Sequence, residues 1–217
     1  MPLITTDQTD LIIFDCDGVL VDSEPLSNAV MAEHITRLGW AMNGHESIRL
    51  FKGKTMAQVH CAIEDRLGKP IDKKWTSAFH LDQEQRMRRD LTVVAGVNDL
   101  IARVQAAGLH SCVASQGSHE KMAISLGLTG LWDQFEGRIF SARDVANPKP
   151  APDLFLHAAI QMNVSPTRCI VIEDSPTGIA GALAAKMRVI GYDPDESGVL
   201  AQGGIEIVSR MDAITIV

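Results

Sequence analysis

Two aspartates, Asp15 and Asp17, follow the apolar run Leu11–Phe14 directly, and Gly18 comes next. On an extended backbone alternate side chains project to one side, so the two carboxylates face together while Cys16 points away. The carboxyl end of a strand is where open α/β sheets bind ligands. Taken singly, Asp17-Gly18 reads as a turn and Asp15 as a helix cap. Three other strand ends repeat the event, in Ser115-Gln116-Gly117, in Asn147-Pro148-Lys149-Pro150 and in Glu173-Asp174-Ser175-Pro176. Helix capping accounts for Ser115 or Ser118 and for the Ser175-Pro176 pair, and a solvated loop accounts for Lys149. Neither accounts for Glu173-Asp174, adjacent acids after an apolar strand, where mutual repulsion and desolvation both oppose ionisation. A cation relieves that cost. Asp15, the Asp17 segment and Asp174 offer the few hard oxygen ligands that Mg²⁺ takes. Lys149, held between prolines that fix their own φ, is pre-oriented. A hydroxyl (Ser115), an ammonium (Lys149), Mg²⁺ and a carboxylate nucleophile around one point suit the transfer of a phosphoryl group, whose anionic oxygens require donors and cations.

The elements that must position these residues are legible from periodicity. Short apolar runs at 11–14, 109–114, 138–140, 169–172 and 188–191 are bounded by polar or turn residues and read as strands buried on both faces. Helical patterns over 97–107, 120–126, 152–162 and 176–185 alternate with them, several ending at Gly or Asn. The alternation predicts an α/β fold, a doubly wound parallel sheet with helices on both faces. Residues 25–93 break the rhythm. Helical patterns at 25–38, 55–67 and 73–90, separated by Gly39, Gly44, Gly53, Gly68 and Pro70, predict a helical insert after the first catalytic strand. The expected organisation is a core of 1–24 and 94–217 with a helical domain at 25–93.

The chain has 217 residues, enough for one domain with a smaller insert, and 46% of them are hydrophobic, enough for a core. Its formal charge is −7 with no basic block, which argues against a general nucleic-acid binder. No apolar run approaches a membrane span and the N-terminus lacks a signal-peptide pattern, so a cytoplasmic protein without membrane partners is expected. The four cysteines are far apart, and Cys16, Cys112 and Cys169 lie in or beside apolar runs, as buried thiols in a reducing compartment do. The scattered histidines show no zinc-site spacing.

Asp-Cys-Asp-Gly-Val-Leu-Val-Asp from Asp15, Ser115 after its strand, Lys149 in Pro-Lys-Pro and Glu173-Asp174-Ser-Pro-Thr-Gly resemble, in order, the four motifs of the haloacid dehalogenase superfamily of phosphohydrolases. The insert resembles the cap of the β-phosphoglucomutase and sugar-phosphate phosphatase branch. Phe51-Lys52-Gly53 and Asp153-Leu-Phe-Leu-His-Ala-Ala are most similar to bacterial phosphatases of sugars and sugar acids. The resemblance implies a Mg²⁺-dependent phosphomonoesterase with a Rossmann-like core, working through an aspartyl phosphate. Asp15 is then the nucleophile and Asp17 the acid and base. Ser115, Gln116 and Lys149 hold the phosphoryl group, and Asp15, Asp17, Asp174 and Glu173 serve the metal, Glu173 directly or from behind Asp174. Glu24, Lys52 and Lys54 are the candidate contacts to the rest of the substrate, a small sugar or sugar-acid phosphate such as 6-phosphogluconate. For the two lysines a solvated surface is the ordinary alternative. The protein is expected to be a monomer or small homo-oligomer.

A β-phosphoglucomutase is the competing reading. The arginine and histidine that such mutases carry in the insert correspond to Met56 and Ser27 here, which counts against it. Dehalogenation needs neither Asp17 nor the Glu173-Asp174 pair. A non-catalytic binding protein has no use for all the motif residues.

Overall fold

The computed structural model describes residues 2–51, 54–200 and 204–217. The chain divides into two compact units, Met1–Val21 with Val93–Val217, and Asp22–Thr92. The insert thus begins at Asp22 and ends at Thr92. On one side of the division Val21 bridges Val93 antiparallel, and on the other Asp22 N–H donates to Thr92 O at 2.9 Å.

In the first unit the strands are β1 (Leu3–Ile4), β2 (Leu11–Phe14), β3 (His110–Ser115), β4 (Ile139–Ser141), β5 (Cys169–Glu173), β6 (Arg188–Tyr192), β7 (Glu206–Val208) and β8 (Thr215–Ile216). The six from β2 to β7 form one parallel sheet in the order β4-β3-β2-β5-β6-β7, and β1 pairs with β8. In β2 every residue is buried, as an apolar run flanked by strands and covered on both faces requires.

Side-chain alternation along β2 sends Leu11 and Ile13 to one face and Ile12 and Phe14 to the other. The first pair packs with Cys112, Ala114 and Val171 against Leu154, Phe155 and Ala158 of α8 (Asp153–Gln161) and Ile179 and Ala182 of α9 (Pro176–Ala184). On the opposite face Phe14 meets Phe135 of α7 (Trp132–Phe135) edge to face at 5.9 Å. Helices α5 (Val97–Ala106) and α6 (His119–Leu128) also belong to this unit, α5 burying Leu100, Ile101 and Val104. Each such side chain contributes roughly 1.5–3 kcal/mol by leaving water.

The path runs from β2 outward to β3 and β4, then returns past β2 to β5 and β6. Its direction reverses between β2 and β5, the switch point at which the carboxyl ends of adjacent strands leave a crevice. Asp15 and Glu173-Asp174 stand at those two ends.

The second unit holds α1 (Ser23–Leu38), α2 (Gly44–Phe51), α3 (Met56–Leu67) and α4 (Trp75–Asp90). Val30, Met31 and Ile35 of α1 bury against Phe51, Val59, Ile63, Trp75 and Phe79. Helix α2 was not expected, because Gly44 reads as a break. Asn43 overrides it: its Oδ1 accepts Glu46 N–H at 2.9 Å, and Glu46 Oε2 accepts Asn43 N–H at 2.9 Å, a reciprocal cap that starts the helix at the glycine. Strand β7 also departs from the sequence expectation, since Glu206 and Ile207 are exposed at the sheet edge and show no apolar run.

Candidate active site

Past Phe14 the ladder continues for one bond, Asp15 N–H to Ile172 O at 3.0 Å, and then the chain turns. Cys16 O accepts from both Leu20 and Val21, and Gly18 N–H donates to Val21 O at 2.9 Å. The turn needs φ +81° at Gly18, a value that favours glycine. Cys16 points into the interior, with Sγ 3.8 Å from Ser125 Oγ, and burial pushes its thiol up. Asp15 and Asp17 are left to two different ammonium groups.

Lys149 meets Asp15. It follows β4 by a loop whose Lys149–Pro150 peptide is cis. Its side chain is 1% exposed, and Nζ donates to Asp15 Oδ1 at 2.5 Å, Glu173 Oε1 at 2.7 Å and Ala114 O at 2.9 Å. All three ammonium protons are thereby used, and the Phe155 ring lies 4.9 Å below the charge. A buried ammonium is tolerable only when paired this fully.

The pKa directions on the two sides of this contact differ in meaning. Burial lowers the Lys149 ammonium, but Asp15 and Glu173 more than offset that and leave it raised. Asp15 is also raised, to about 7, by burial first and by Glu173 and Asp17 in addition, against the lowering pull of Lys149. One ammonium shared between two buried carboxylates neutralises neither fully. Asp15 is therefore the group that a further cation would help to ionise.

Glu173 spends both oxygens. Oε1 takes Lys149, while Oε2 takes Ser175 N–H at 2.8 Å and Ser175 Oγ at 2.9 Å. Ser175 in turn caps α9 by accepting Gly178 N–H at 3.1 Å. Of the two expected roles of Glu173, direct metal ligand or support from behind Asp174, these contacts favour the second, since its oxygens anchor Lys149 and the strand-to-helix turn. A Cβ on Gly178 would lie 1.7 Å from Glu173 Oε1 and 2.0 Å from its Cδ. Gly178→Ala improves helix propensity by about 1 kcal/mol, yet the expected outcome is net destabilisation by ~1–3 kcal/mol, as overpacking against a fixed side chain costs. Thermal melting should fall by several degrees, and an unchanged or raised Tm would show that Glu173 moves freely.

Asp174 lies against the first loop. A Cβ on Gly18 would stand 2.4 Å from its Oδ2, so glycine there is what lets the carboxylate approach. Ser115 ends β3 and is buried, its Oγ accepting Gly117 N–H at 3.1 Å. Gln116 Nε2 donates to Lys149 O at 3.3 Å, joining the loops after β3 and β4. Ser141 Oγ donates to Gly117 O at 2.7 Å and ties in the end of β4. Asp15, Asp17, Ser115, Gln116, Lys149, Glu173 and Asp174 therefore all stand on strand ends or the loops that follow them, in one unit.

Asp17 Oδ2 accepts from Lys121 Nζ at 2.5 Å. Lys121 escaped the sequence reading, because on its own it is one more surface lysine of a helix. The available signal was its position in the first turn of a helix, where cations are disfavoured.

The other candidates lie in the helical unit. Asn28 Nδ2 donates to the Glu24 side chain at 3.3 Å and to its carbonyl at 3.0 Å, and Ser47 Oγ donates to Asn28 Oδ1 at 2.8 Å. Lys54 is exposed, with Nζ 5.7 Å over the Phe51 ring. Lys52 lies outside the described residues. Ser27 Oγ accepts Gln83 Nε2 at 2.8 Å.

The donor set at the β2 and β5 ends fits a hard divalent cation. Asp15 and Glu173 meet Lys149, Asp17 meets Lys121, and glycine at position 18 opens the space into which the Asp174 carboxylate reaches. Among the described residues no group of three or more His, Cys, Asp or Glu side chains forms a ready metal cage. Mg²⁺ asks for less, one or two carboxylates with water and substrate oxygens completing its shell.

Residues 12–192 match the haloacid dehalogenase-like hydrolase family. The chain is 30% identical over 189 residues to the 6-phosphogluconate phosphatase of Escherichia coli K12, covering 86% of this chain and 83% of that one. A solved haloacid dehalogenase-like protein of Agrobacterium tumefaciens superposes with a TM-score of 0.87 at 35% identity over 94% of each chain. A family hydrolase of Deinococcus radiodurans, solved with bound phosphate and sodium, gives 0.84 at 26% identity over 95% of this chain and 93% of its own. With four ordered motifs gathered at the switch point of a parallel sheet and relatives that are phosphatases, the chain belongs to the haloacid dehalogenase-like hydrolases and is a phosphatase of that family.

Proposed function

We propose that the protein hydrolyses the phosphomonoester of a small sugar or sugar acid, with 6-phosphogluconate the first substrate to test, by way of an aspartyl phosphate on Asp15. The observation that carries this reading is the buried Lys149 ammonium, 2.5 Å from Asp15 and 2.7 Å from Glu173 at the switch point. An ammonium there orients the Asp15 carboxylate and neutralises charge arriving on a phosphoryl group. Similarity to the phosphatase of Escherichia coli over most of both chains supports the substrate class.

In the first step an Asp15 oxygen bonds to phosphorus as the bond to the leaving oxygen breaks, and Asp17 gives that oxygen a proton. In the second, Asp17 takes a proton from water, whose oxygen attacks phosphorus and frees Asp15 and inorganic phosphate. Ser115 and Gln116 donate to the phosphoryl oxygens alongside Lys149. Asp15, the Asp17 segment and Asp174 would hold Mg²⁺, which would supply positive charge to the phosphoryl oxygens and favour the ionised form of Asp15. Glu173 acts through Lys149 and Ser175. Free thiols at Cys16, Cys112 and Cys169, all buried, support a reducing compartment such as the cytoplasm. Among the described residues no helix is long and apolar enough to cross a membrane.

We assign the choice of leaving group to the helical unit, through Glu24, Lys52 and Lys54. The test is kcat/KM over a panel of sugar, sugar-acid and nucleotide phosphates. A preference for sugar-acid phosphates supports the reading, whereas a nucleotide preference overturns the substrate class, and net phosphoryl transfer to a sugar phosphate without release of phosphate would make the protein a mutase. Lys54→Ala should raise KM for the preferred substrate by roughly tenfold, as for one lost charge-assisted hydrogen bond. Hydrolysis of p-nitrophenyl phosphate should barely change, and equal losses on both substrates would remove Lys54 from selectivity.

A further inference from the structure

Lys121 touches the proposed acid and base, and the mechanism above leaves it without a task. It lies in the first turn of α6, three residues after Ser118, whose Oγ accepts its N–H at 3.3 Å. A cation there faces the positive end of the helix dipole, so helix formation alone does not favour lysine at this position. Its stem passes 3.5 Å from where a Cβ on Gly117 would stand, and Ser115 Oγ lies at the same distance from that point. The side chain therefore runs along the loop that follows β3 before its ammonium reaches Asp17 Oδ2 at 2.5 Å, joining residues 104 positions apart. A local rule broken in this way next to a reactive group is the mark of a functional constraint.

We propose that Lys121 is a positioning residue that holds the Asp17 carboxyl in the orientation from which it exchanges a proton with the leaving oxygen and with water. This rests on the reading of Asp17 as acid and base. A carboxyl tied through one oxygen to an ammonium on a helix cannot rotate freely about its Cβ–Cγ bond. The contact with α6 thus helps set the angle of its other oxygen. No further reactant enters: the proton passes between Asp17 and the leaving oxygen while the phosphorus–oxygen bond breaks and the bond to Asp15 forms. Misplacing a proton donor by about 1 Å costs on the order of 10²-fold in rate.

The experiment compares benzyl phosphate, which expels an alkoxide and needs the proton, with p-nitrophenyl phosphate, whose phenolate leaves without it. Both carry an aromatic ring of similar size. In Asp17→Asn, kcat/KM should collapse for benzyl phosphate and fall much less for p-nitrophenyl phosphate. Lys121→Ala should show the same split at smaller scale, roughly 10- to 100-fold against less than threefold. Lys121→Arg, which can still grip a carboxylate, should recover most of the loss. The double variant should be no slower than Asp17→Asn alone, because Lys121 has nothing left to position. Equal losses on both substrates in Lys121→Ala with an unchanged Tm would overturn the inference, since the lysine would then serve the phosphoryl group itself. Additive losses in the double variant would overturn it too. If Asp17→Asn shows no split, the acid reading of Asp17 fails first and the positioning role goes with it, an outcome separate from a split in Asp17→Asn that Lys121→Ala does not share.

Discussion

Asp15→Asn should abolish phosphatase turnover, with a loss of roughly 10⁴-fold or more, while the protein stays folded. The amide keeps the shape of the carboxyl, so the turn through Gly18 and the ladder bond from residue 15 to Ile172 O survive. What disappears is the oxygen nucleophile, and neither Glu173 nor Asp17 is placed to replace it. Glu173 has both oxygens engaged, and Asp17 is tied to Lys121. Lys149 keeps its contact with Glu173, and the amide oxygen can still accept from it. Because burial raises the carboxyl of Asp15 to about 7, the ionised residue is a burden on the fold at neutral pH, and a neutral amide removes that burden. Melting at pH 8 in the absence of metal should therefore be equal to or above that of the wild type. Near-normal turnover in a folded Asp15→Asn protein would end the covalent reading.

Stripping divalent metal should reduce activity by roughly 10³-fold or more, as the loss of several kcal/mol of charge stabilisation implies. Mg²⁺ should restore it. Ca²⁺ should inhibit, because its larger and looser shell displaces the attacking carboxylate. The same removal has a signature that needs no substrate. In the metal-free protein the folded-state pKa of Asp15, about 7, lies above its ordinary value of 3.8, so between those values the native state binds more protons than the unfolded chain. That contribution makes the metal-free protein lose stability as pH rises from about 4 to 7. Mg²⁺ favours the ionised form, so the gain in Tm on adding it should be larger at pH 8 than at pH 5, with protons released on binding near neutral pH. Full activity after exhaustive chelation would exclude the metal role, and a Tm gain independent of pH would take Asp15 out of the ligand set.

The grouping of the candidate residues was legible in the sequence because they stand at strand ends. Each apolar run buried on both faces stops where the polar residues begin, so Asp15, Ser115 and Glu173-Asp174 announce both the end of a strand and the side of the sheet that binds ligands. The parallel sheet followed from the same alternation of strand and helix. Edge strands were not legible, since β7 exposes Glu206 and Ile207 and has too few buried positions to leave a pattern. Helix α2 hid behind Gly44, where a reciprocal cap from Asn43 and Glu46 outweighs the cost of the glycine. Motif order told which residues belong together, but it could not tell which would touch. That Lys149 divides its charge between Asp15 and Glu173, and that Glu173 fills the space a side chain on Gly178 would need, depends on contacts across 134, 24 and five residues of chain whose geometry only the packed sheet sets. The pairing of Asp17 with Lys121 is the clearest case. Nothing local favours a lysine in the first turn of α6, and its reason appears only once β2 and β3 lie side by side and bring the two loops within reach of one hydrogen bond.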